Sequence, residues 1–525
     1  HPFFFEPEGE HSAQSGALGA ALTGGMFVSN ASSSQGILYA MESHFVTVGK
    51  KVGGFVLQVA ARVVSKHSLN VMAGHDDIYA LLPAGYTVFF GANPQEAADL
   101  AAISYRTAAL SLIPVANTMD GFATSHMMSE ANLPEPELLR EYLGDPAGRI
   151  DCPTVAQEVM YGAKGRVWQL NRWITRRAAE FGLTELDDIR NWLTDHAAEV
   201  EADDAGALVE QTQTFIPVDF GAQWRRQWLG AWRKGTRQLV PSLVDPNNPG
   251  LTGPVQNQPD FQAGAVDHRT HFDSEVPRLA LQAMVEYSQL TGRRYTPIHC
   301  YDVADADYVF VALGSVGEDV RAVLPYLRRQ GLKVGLVSVK LLQPFPEAEL
   351  VDALAGKQAV TVLERSDQMA LTQLVTSALF KGAANSSSPG RFAGIRPISK
   401  IPALTSAIFG LGGHDLQPRD LIAAAENMAG DNASPLVYLG STFFSEGATG
   451  SFAELQRKMA TAYPETRLMA LATGENPNLL PDEAFRIRFH SVGGYGTIAT
   501  GKLMTDIRAG ALGMYSKSAP KYGSE

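Results

Sequence analysis

"YVFVALGSVGEDVRAVLPYLRRQGLKVGLVSV", residues 308–339, carries the pattern that decides the fold. Tyr308–Leu313 is an unbroken apolar run of strand length, and Gly314-Ser315-Val316-Gly317 ends it. Glu318–Gln330 then spaces its apolar residues as a helix does, and Lys333–Val339 is a second apolar strand. Outward from there, Pro346–Ala355 reads as a helix and Ala359–Leu363 as a third strand, so residues 305–365 form a βαβαβ unit. Strands without a polar face, alternating with helices, imply a parallel sheet covered on both sides.

Residues 1–130 repeat the alternation. Phe3–Phe5, Met26–Ser29, Gly54–Val59, Thr87–Phe90 and Leu112–Asn117 read as buried strands. Gln14–Leu22, Ser33–His44 and Pro94–Ala109 read as helices, the last opened by Asn93-Pro94, an N-cap followed by proline at the first helical position. Residues 150–240 differ. All six tryptophans stand there, at 168, 173, 192, 224, 228 and 232, interleaved with arginines 166, 172, 176, 177, 225, 226 and 233. Trp224, Trp228 and Trp232 form one helical stripe. Such a surface could bind nucleic acid; Trp and Arg are also interface residues, and Asp195–Asp204 is acidic. A helical insertion burying its tryptophans against another subunit is expected. Val244–Pro259 opens a connector, Ala384–Gly390 is of low complexity, and Leu436–Leu439 with Leu468–Leu471 suggest another α/β unit.

At 525 residues the chain exceeds one hydrophobic core. The expected division is 1–149, 150–240 (the insertion), 241–300 (the connector), 301–430 and 431–525. A formal charge of −12 argues against general affinity for nucleic acid or anionic membrane. Cys152 and Cys300 form no CxxC pattern, which excludes a disulfide framework and an iron–sulfur site built from this chain's cysteines. A reduced, cytoplasmic compartment is expected. No run approaches the ~20 apolar residues of a membrane helix. The chain opens on His1 inside an apolar run and closes in Lys521–Glu525, and is expected to be part of a larger polypeptide.

Several stretches could carry chemistry. Gly314–Gly317, at a strand–helix junction, could seat a phosphate on backbone N–H groups or be a structural turn. Gly74-His75-Asp76-Asp77 could supply metal or acid–base groups, or cap a helix over Ile78–Leu82. Arg62 ends the run Gly54–Ala61, where ligands gather in open parallel sheets, and a guanidinium there suits a carboxylate. Glu6, Glu8 and Glu10 offer one functional carboxylate or a solvated edge. Val492–Met504, "VGGYGTIATGKLM", mimics a P-loop, but Leu503 replaces the hydroxyl that would hold Mg²⁺ after Lys502. What survives is a glycine loop, Gly493-Gly494-Tyr495-Gly496, able to let backbone amides approach a phosphate.

Together these pieces resemble the 2-oxoacid:ferredoxin oxidoreductases, pyruvate:ferredoxin oxidoreductase among them. Gly16-Ala17, Ser33-Ser34-Gln35-Gly36, Ala60-Ala61-Arg62, His67, His75-Asp76-Asp77, Ala84-Gly85-Tyr86, Gln95-Glu96 and Asp120-Gly121-Phe122-Ala123-Thr124-Ser125-His126 are similar to that family's first domain, in order. Ala312-Leu313-Gly314-Ser315 and Leu341-Leu342-Gln343-Pro344-Phe345 resemble its second, and Phe489–Glu525 the start of its third, γ-type domain. The resemblance implies a multidomain α/β protein: a doubly wound domain of the pyrimidine-binding type, a transketolase C-terminal-like βαβ domain and the start of a γ-type domain. The Trp-rich insertion has no counterpart in it.

The implied activity is thiamine diphosphate-dependent oxidative decarboxylation of a 2-oxoacid, pyruvate foremost, to acyl-coenzyme A. Electrons go to ferredoxin or flavodoxin through [4Fe–4S] clusters. By this match Glu10 is the glutamate on the aminopyrimidine, with Glu6 reproducing the spacing of the family's glutamate pair; an ungapped alignment puts His11 there instead. Arg62 matches the substrate-carboxylate arginine, Ser34 and Gln35 the cofactor side, and Gly493, Gly494 and Gly496 the coenzyme A loop. No residue of this chain is expected to bind metal; the diphosphate, its Mg²⁺ and the clusters would lie on a partner subunit or another part of the chain. Ala123 stands where the family has arginine. A homo-oligomer is expected. Two alternatives stay open: a transketolase-like thiamine transferase not linked to ferredoxin, and a catalytically silent scaffold subunit.

Overall fold

The computed structural model describes residues 6–161, 236–244, 255–440, 449–469, 476–491 and 495–519, with positions 182, 471 and 474. The expected strand Phe3–Phe5, the six tryptophans, Gly493 and Gly494 lie outside the described residues.

The first domain is a sheet of four parallel strands, β1 (Val28–Ser32), β2 (Phe55–Ala61), β3 (Thr87–Gly91) and β4 (Val115–Asp120), ordered β1-β2-β4-β3. β3 is buried along its whole length and β4 nearly so, as strands sandwiched between helices must be. Around them lie α1 (Glu10–Leu22), the short α2 (Gln35–Tyr39), α3 (Met41–Gly49), α4 (Asp76–Leu81) and α5 (Pro94–Ser111).

Several boundaries depart from the sequence reading for local reasons. α1 begins at Glu10, four residues before the expected Gln14, because Gly9 and Ser12 exchange hydrogen bonds across its first turn. The single helix expected over Ser33–His44 is two, separated at Ala40. β4 starts at Val115 rather than Leu112: α5 runs on to Ser111, and Leu112 ends it in the left-handed region, φ 63°. Asn93 caps α5 as expected, its side chain accepting from Glu96 N.

The second domain is a six-stranded sheet ordered β11-β10-β9-β6-β7-β5, comprising β5 (Ile298–Tyr301), β6 (Tyr308–Leu313), β7 (Val334–Val339), β9 (Ala359–Glu364), β10 (Ala403–Ile408) and β11 (Leu436–Tyr438). All pairs are parallel except β5 on β7. The helices α6 (Val316–Arg329), α7 (Glu347–Leu354), α8 (Ala370–Ser387) and α9 (Pro418–Ala429) complete it. Within the α/β unit expected from Leu468–Leu471, a 3-10 turn spans Pro464–Met469, and residue 470 lies outside the described residues. Phe485–Phe489 is unpaired and exposed.

The two sheets share one stretch of chain. β7 ends at Val339, and two residues later the chain re-enters as β8 (Leu341–Gln343), antiparallel to β3 of the first sheet. Lys340 lies between, 1 % exposed, and its Nζ meets Glu96 Oε2 of α5 at 2.5 Å. Gln343 then donates to Leu82 O and Tyr86 O. The Leu-Leu-Gln-Pro motif of the second domain is thus the edge strand of the first.

Candidate functional site

β1, β2 and β4 run parallel, so their carboxyl ends open on the same edge, where open sheets collect ligands. β2 ends at Ala61 and delivers Arg62; β4 ends at Asp120 and delivers Gly121 and Phe122; β1 leads through Ser33 into Ser34 and Gln35. Gly121 has little room: a Cβ there would lie 2.7 Å from Arg62 Cγ.

Arg62 is half-buried, with its Cζ 5.0 Å from the centre of the Phe122 ring. Its Nε is buried and meets no acceptor among the described residues. Phe122 holds φ 55°, and its ring stacks on His126 at 4.2 Å. Burial, with Arg62 and Lys502 nearby, lowers the His126 pKa. Arg62 is therefore a cation seated on an aromatic face with a buried donor unmet, which fits an anion of carboxylate geometry.

Glu10 opens α1 beside the start of α2. A Cβ on Gly36 would sit 2.8 Å from Glu10 Cγ, 3.1 Å from Glu10 Oε1 and 2.5 Å from Ser32 Oγ. The absent side chain at Gly36 is what lets the glutamate lie there. Glu10 is exposed rather than buried, and its carboxylate makes no hydrogen bond among the described residues. His11, the other candidate, is tied outward: Nε2 is 3.7 Å from Glu42 and the ring lies 6.4 Å from Tyr39. Ser34 donates to Val63 O at 2.5 Å and bonds Gln35, whose amide bonds Ser65. Ser34 and Gln35 thus lean on the loop that follows Arg62.

Gly496 caps the helix α10 (Thr497–Asp506) with φ 73°. The segment after α10 reaches the first domain: Met128 N donates to Ser518 O at 2.8 Å and Ser518 N to Met128 O at 3.1 Å. The segment after α10 is therefore anchored to the loop leaving Asp120, on the same side as Arg62.

Sequence reasoning assigned no role to Asp120, which is the centre of the domain junction. It is fully buried, accepts from His75 Nε2 at 2.9 Å and from Ser315 N at 2.6 Å, and lies 3.8 Å from Arg365 Nε. Burial alone would raise its pKa; Arg365, His75 and the Ser315 N–H overcome that and hold it well below the usual carboxylate range. A Cβ on Gly314 would sit 2.4 Å from Asp120 Oδ2. The anion at the Gly314–Gly317 turn is thus a protein carboxylate, which excludes the phosphate reading of that turn. Two further contacts join the domains: Tyr79 OH donates to Glu364 Oε2 at 3.1 Å, and Ser366 Oγ to Asp76 Oδ1 at 2.6 Å.

The helix over His75-Asp76-Asp77 starts at Asp76, two residues before the expected Ile78, and neither aspartate is its N-cap, which is His75. No group of three or more His, Cys, Asp or Glu residues is placed to hold a metal among the described residues. The only signal of these roles in the sequence was position: acidic residues ending apolar strands or following glycine.

Two stretches of the chain match known families. Residues 1–161 match the family described as pyruvate flavodoxin/ferredoxin oxidoreductase, thiamine diphosphate-binding, and residues 306–421 match pyruvate:ferredoxin oxidoreductase core domain II. Together the two matches cover more than half of the chain. Over these two stretches the chain belongs to the pyruvate flavodoxin/ferredoxin oxidoreductase family. It is 24% identical over 423 residues to the pyruvate-flavodoxin oxidoreductase of Klebsiella pneumoniae, covering 80% of this chain and 28% of that one. It is 23% identical over 441 residues to pyruvate synthase subunit PorA of Thermotoga maritima, covering 82% and 84%. Among solved structures, a 2-oxoglutarate:ferredoxin oxidoreductase from Magnetococcus marinus aligns over 82% of this chain and 57% of that chain, at 14% identity and TM-score 0.42. The chain thus spans under a third of the Klebsiella relative and most of the Thermotoga family member.

Proposed function

We propose that this chain is the pyrimidine-side, substrate-binding part of a thiamine-dependent 2-oxoacid:ferredoxin oxidoreductase, with pyruvate as substrate and coenzyme A as acyl acceptor. The observation that carries the proposal is the unmet Arg62 Nε at the carboxyl end of β2, above Phe122.

The residues present fit the cofactor's pyrimidine side: Gly36 leaves the space that Glu10 occupies, beside Ser32 and the start of α2. Thiamine diphosphate, when bound, supplies the nucleophilic carbon and electron sink that decarboxylation of a 2-oxoacid requires. In this reading Glu10 bonds the aminopyrimidine nitrogen and controls its proton, while Ser34 and Gln35 shape the adjoining wall. Arg62 pairs with the substrate carboxylate and fixes the oxo carbon's position. In the same reading Gly493, Gly494 and Gly496 would serve coenzyme A, and the Met128–Ser518 bridge joins the segment after α10 to the loop leaving Asp120. The diphosphate and Mg²⁺ site, the clusters and the ferredoxin or flavodoxin contact belong to a partner subunit or a further segment. The domain limits, a homo-oligomeric assembly and a cytoplasmic setting are part of the same proposal; no helix among the described residues is long and apolar enough to cross a membrane.

The test is reduction of a low-potential dye by the complete enzyme with a panel of 2-oxoacids, with and without coenzyme A. Arg62→Ala is expected to lower kcat/KM on the order of 10²-fold, the loss of a charge-assisted contact of a few kcal/mol. No 2-oxoacid-dependent reduction, or an undiminished Arg62→Ala enzyme, overturns the proposal.

A further inference from the structure

Asp77 is fully buried at the start of α4, and its two carboxylate oxygens face three backbone donors. Oδ2 accepts from Ser34 N at 2.7 Å and from Arg62 N at 3.0 Å; Oδ1 accepts from Ile78 N at 2.8 Å. Ser34 and Arg62 follow two different strands, β1 and β2. One oxygen therefore joins the loop proposed for the cofactor to the loop proposed for the substrate.

Ser34 needs such a hold. Its φ of 54° and ψ of −127° lie in a left-handed region that serine seldom adopts, and such conformations persist only where the surroundings enforce them. Its N–H is fixed by Asp77 and its hydroxyl by Val63 O, the residue after Arg62. Every restraint on Ser34 that the structure shows outside its own loop thus runs to the Arg62 loop or to the carboxylate holding it.

We infer that Asp77 is a positioning residue: it sets the spacing between Ser34 and Arg62, and so between the cofactor's pyrimidine face and the substrate carboxylate. This rests on the proposed function. Asp77 touches neither ligand; it acts through two amides, and a misplacement of about 1 Å at such a distance is worth up to ~10²-fold in rate.

The variants are Asp77→Asn, Asp77→Ser and Asp77→Ala in the complete enzyme. Asparagine keeps one oxygen where Oδ2 stands, so both amides stay bound, while its NH₂ meets the Ile78 N–H donor to donor, a cost in stability rather than in the Ser34–Arg62 spacing. KM for pyruvate and the dissociation constant for thiamine diphosphate with Mg²⁺, titrated by intrinsic fluorescence, are expected within about threefold of wild type. Serine and alanine reach neither amide, and both constants are expected to rise ~10-fold or more in protein that remains folded by circular dichroism. Should alanine fail to fold, serine, which keeps a hydroxyl at the helix start, gives the same reading. A role in stability alone lowers Tm and leaves both constants unchanged in the folded fraction. That result, or an asparagine variant as impaired as serine, overturns the inference. A wild-type enzyme without 2-oxoacid-dependent activity overturns the proposed function instead, and a wild type that binds the cofactor with insensitive variants overturns only the role of Asp77.

Discussion

Replacing Asp120 tests whether one carboxylate holds the two domains together. In the native junction it accepts from His75 Nε2 at 2.9 Å and Ser315 N at 2.6 Å, and balances Arg365 at 3.8 Å. Asp120→Ala leaves two donors without an acceptor and takes from the buried Arg365 guanidinium its carboxylate at 3.8 Å. Breaking one side of a buried ion pair costs ~3–5 kcal/mol, and orphaning a donor adds ~1–3 kcal/mol. A loss of about 5 kcal/mol is expected for alanine. Asparagine keeps one acceptor for Ser315 but not the charge, and should lose about 3 kcal/mol. The assay is guanidinium unfolding of each variant alone and combined with Arg365→Met, read as midpoint shifts because a multidomain chain need not unfold in one step. Removing Arg365 as well takes away the unpaired charge, so the double variant should recover at least ~1 kcal/mol of the summed losses. An alanine variant within about 1 kcal/mol of wild type, or strict additivity with Arg365→Met, refutes the electrostatic account of the junction.

Two further outcomes follow from the same contacts. Gly36→Ala is expected to displace Glu10, because its Cβ would meet Ser32 Oγ at 2.5 Å and Glu10 Cγ at 2.8 Å; the activating concentration of thiamine diphosphate should rise ~10-fold with little change in Tm, and an unchanged value counts against Glu10's placement. His44 is buried under α3 with Nδ1 3.1 Å from Tyr86 OH, and burial lowers its pKa to about 4. The unfolded chain protonates this histidine from about pH 6.5 downward while the folded chain does not. It therefore costs stability as pH falls from about 6.5 to about 4, by up to ~3 kcal/mol. His44→Gln, which can still bond Tyr86, should flatten the Tm-against-pH slope in that window, and parallel slopes for the two proteins would sink the assignment.

The second sheet was legible because its signal is local: β6 and β9 are apolar on both faces, and the sequence reading placed β6 to the residue and β9 within one. Helix ends were less so where they depend on contacts rather than propensity. Leu112 reads as the start of a strand, yet it ends α5 in a left-handed conformation, since the apolar run Leu110–Ile113 carries no marker of the turn. Arg62 stands out in the sequence because a cation closing an apolar strand is a visible anomaly. Asp120 and Asp77 were not found as functional centres, because their partners stand far away in sequence: Ser315 and Arg365 for one, Ser34 and Arg62 for the other. The Leu-Leu-Gln motif lies within the stretch that matches the second domain, yet its strand pairs with β3 of the first sheet, a tertiary fact that no local pattern shows.

The His75-Asp76-Asp77 stretch shows what a helix start does when it caps no ligand. His75 turns to Asp120 and its own N–H donates to Arg365 O, so it faces the second domain. Asp76 divides its oxygens between Ser366 of that domain and the Val64 amide of the Arg62 loop. Asp77 turns wholly inward, to Arg62 and Ser34. Three consecutive side chains thus connect the domain junction, the substrate loop and the cofactor loop in a single turn of helix. Such a hub stores little freedom, since Asp77 is satisfied by three backbone donors and Asp76 by the Val64 amide, the Ser366 hydroxyl and the Lys66 ammonium. The consequence is directional. A change at the second domain's Ser366 has a two-bond route to the loop after Arg62, through Asp76 to the Val64 amide, whereas Glu10, at the start of α1 beside the space at Gly36, has none among the described contacts. Perturbations of the junction should therefore disturb the substrate side of the site before the cofactor side, and the ratio of the two KM changes in Ser366→Ala would show it.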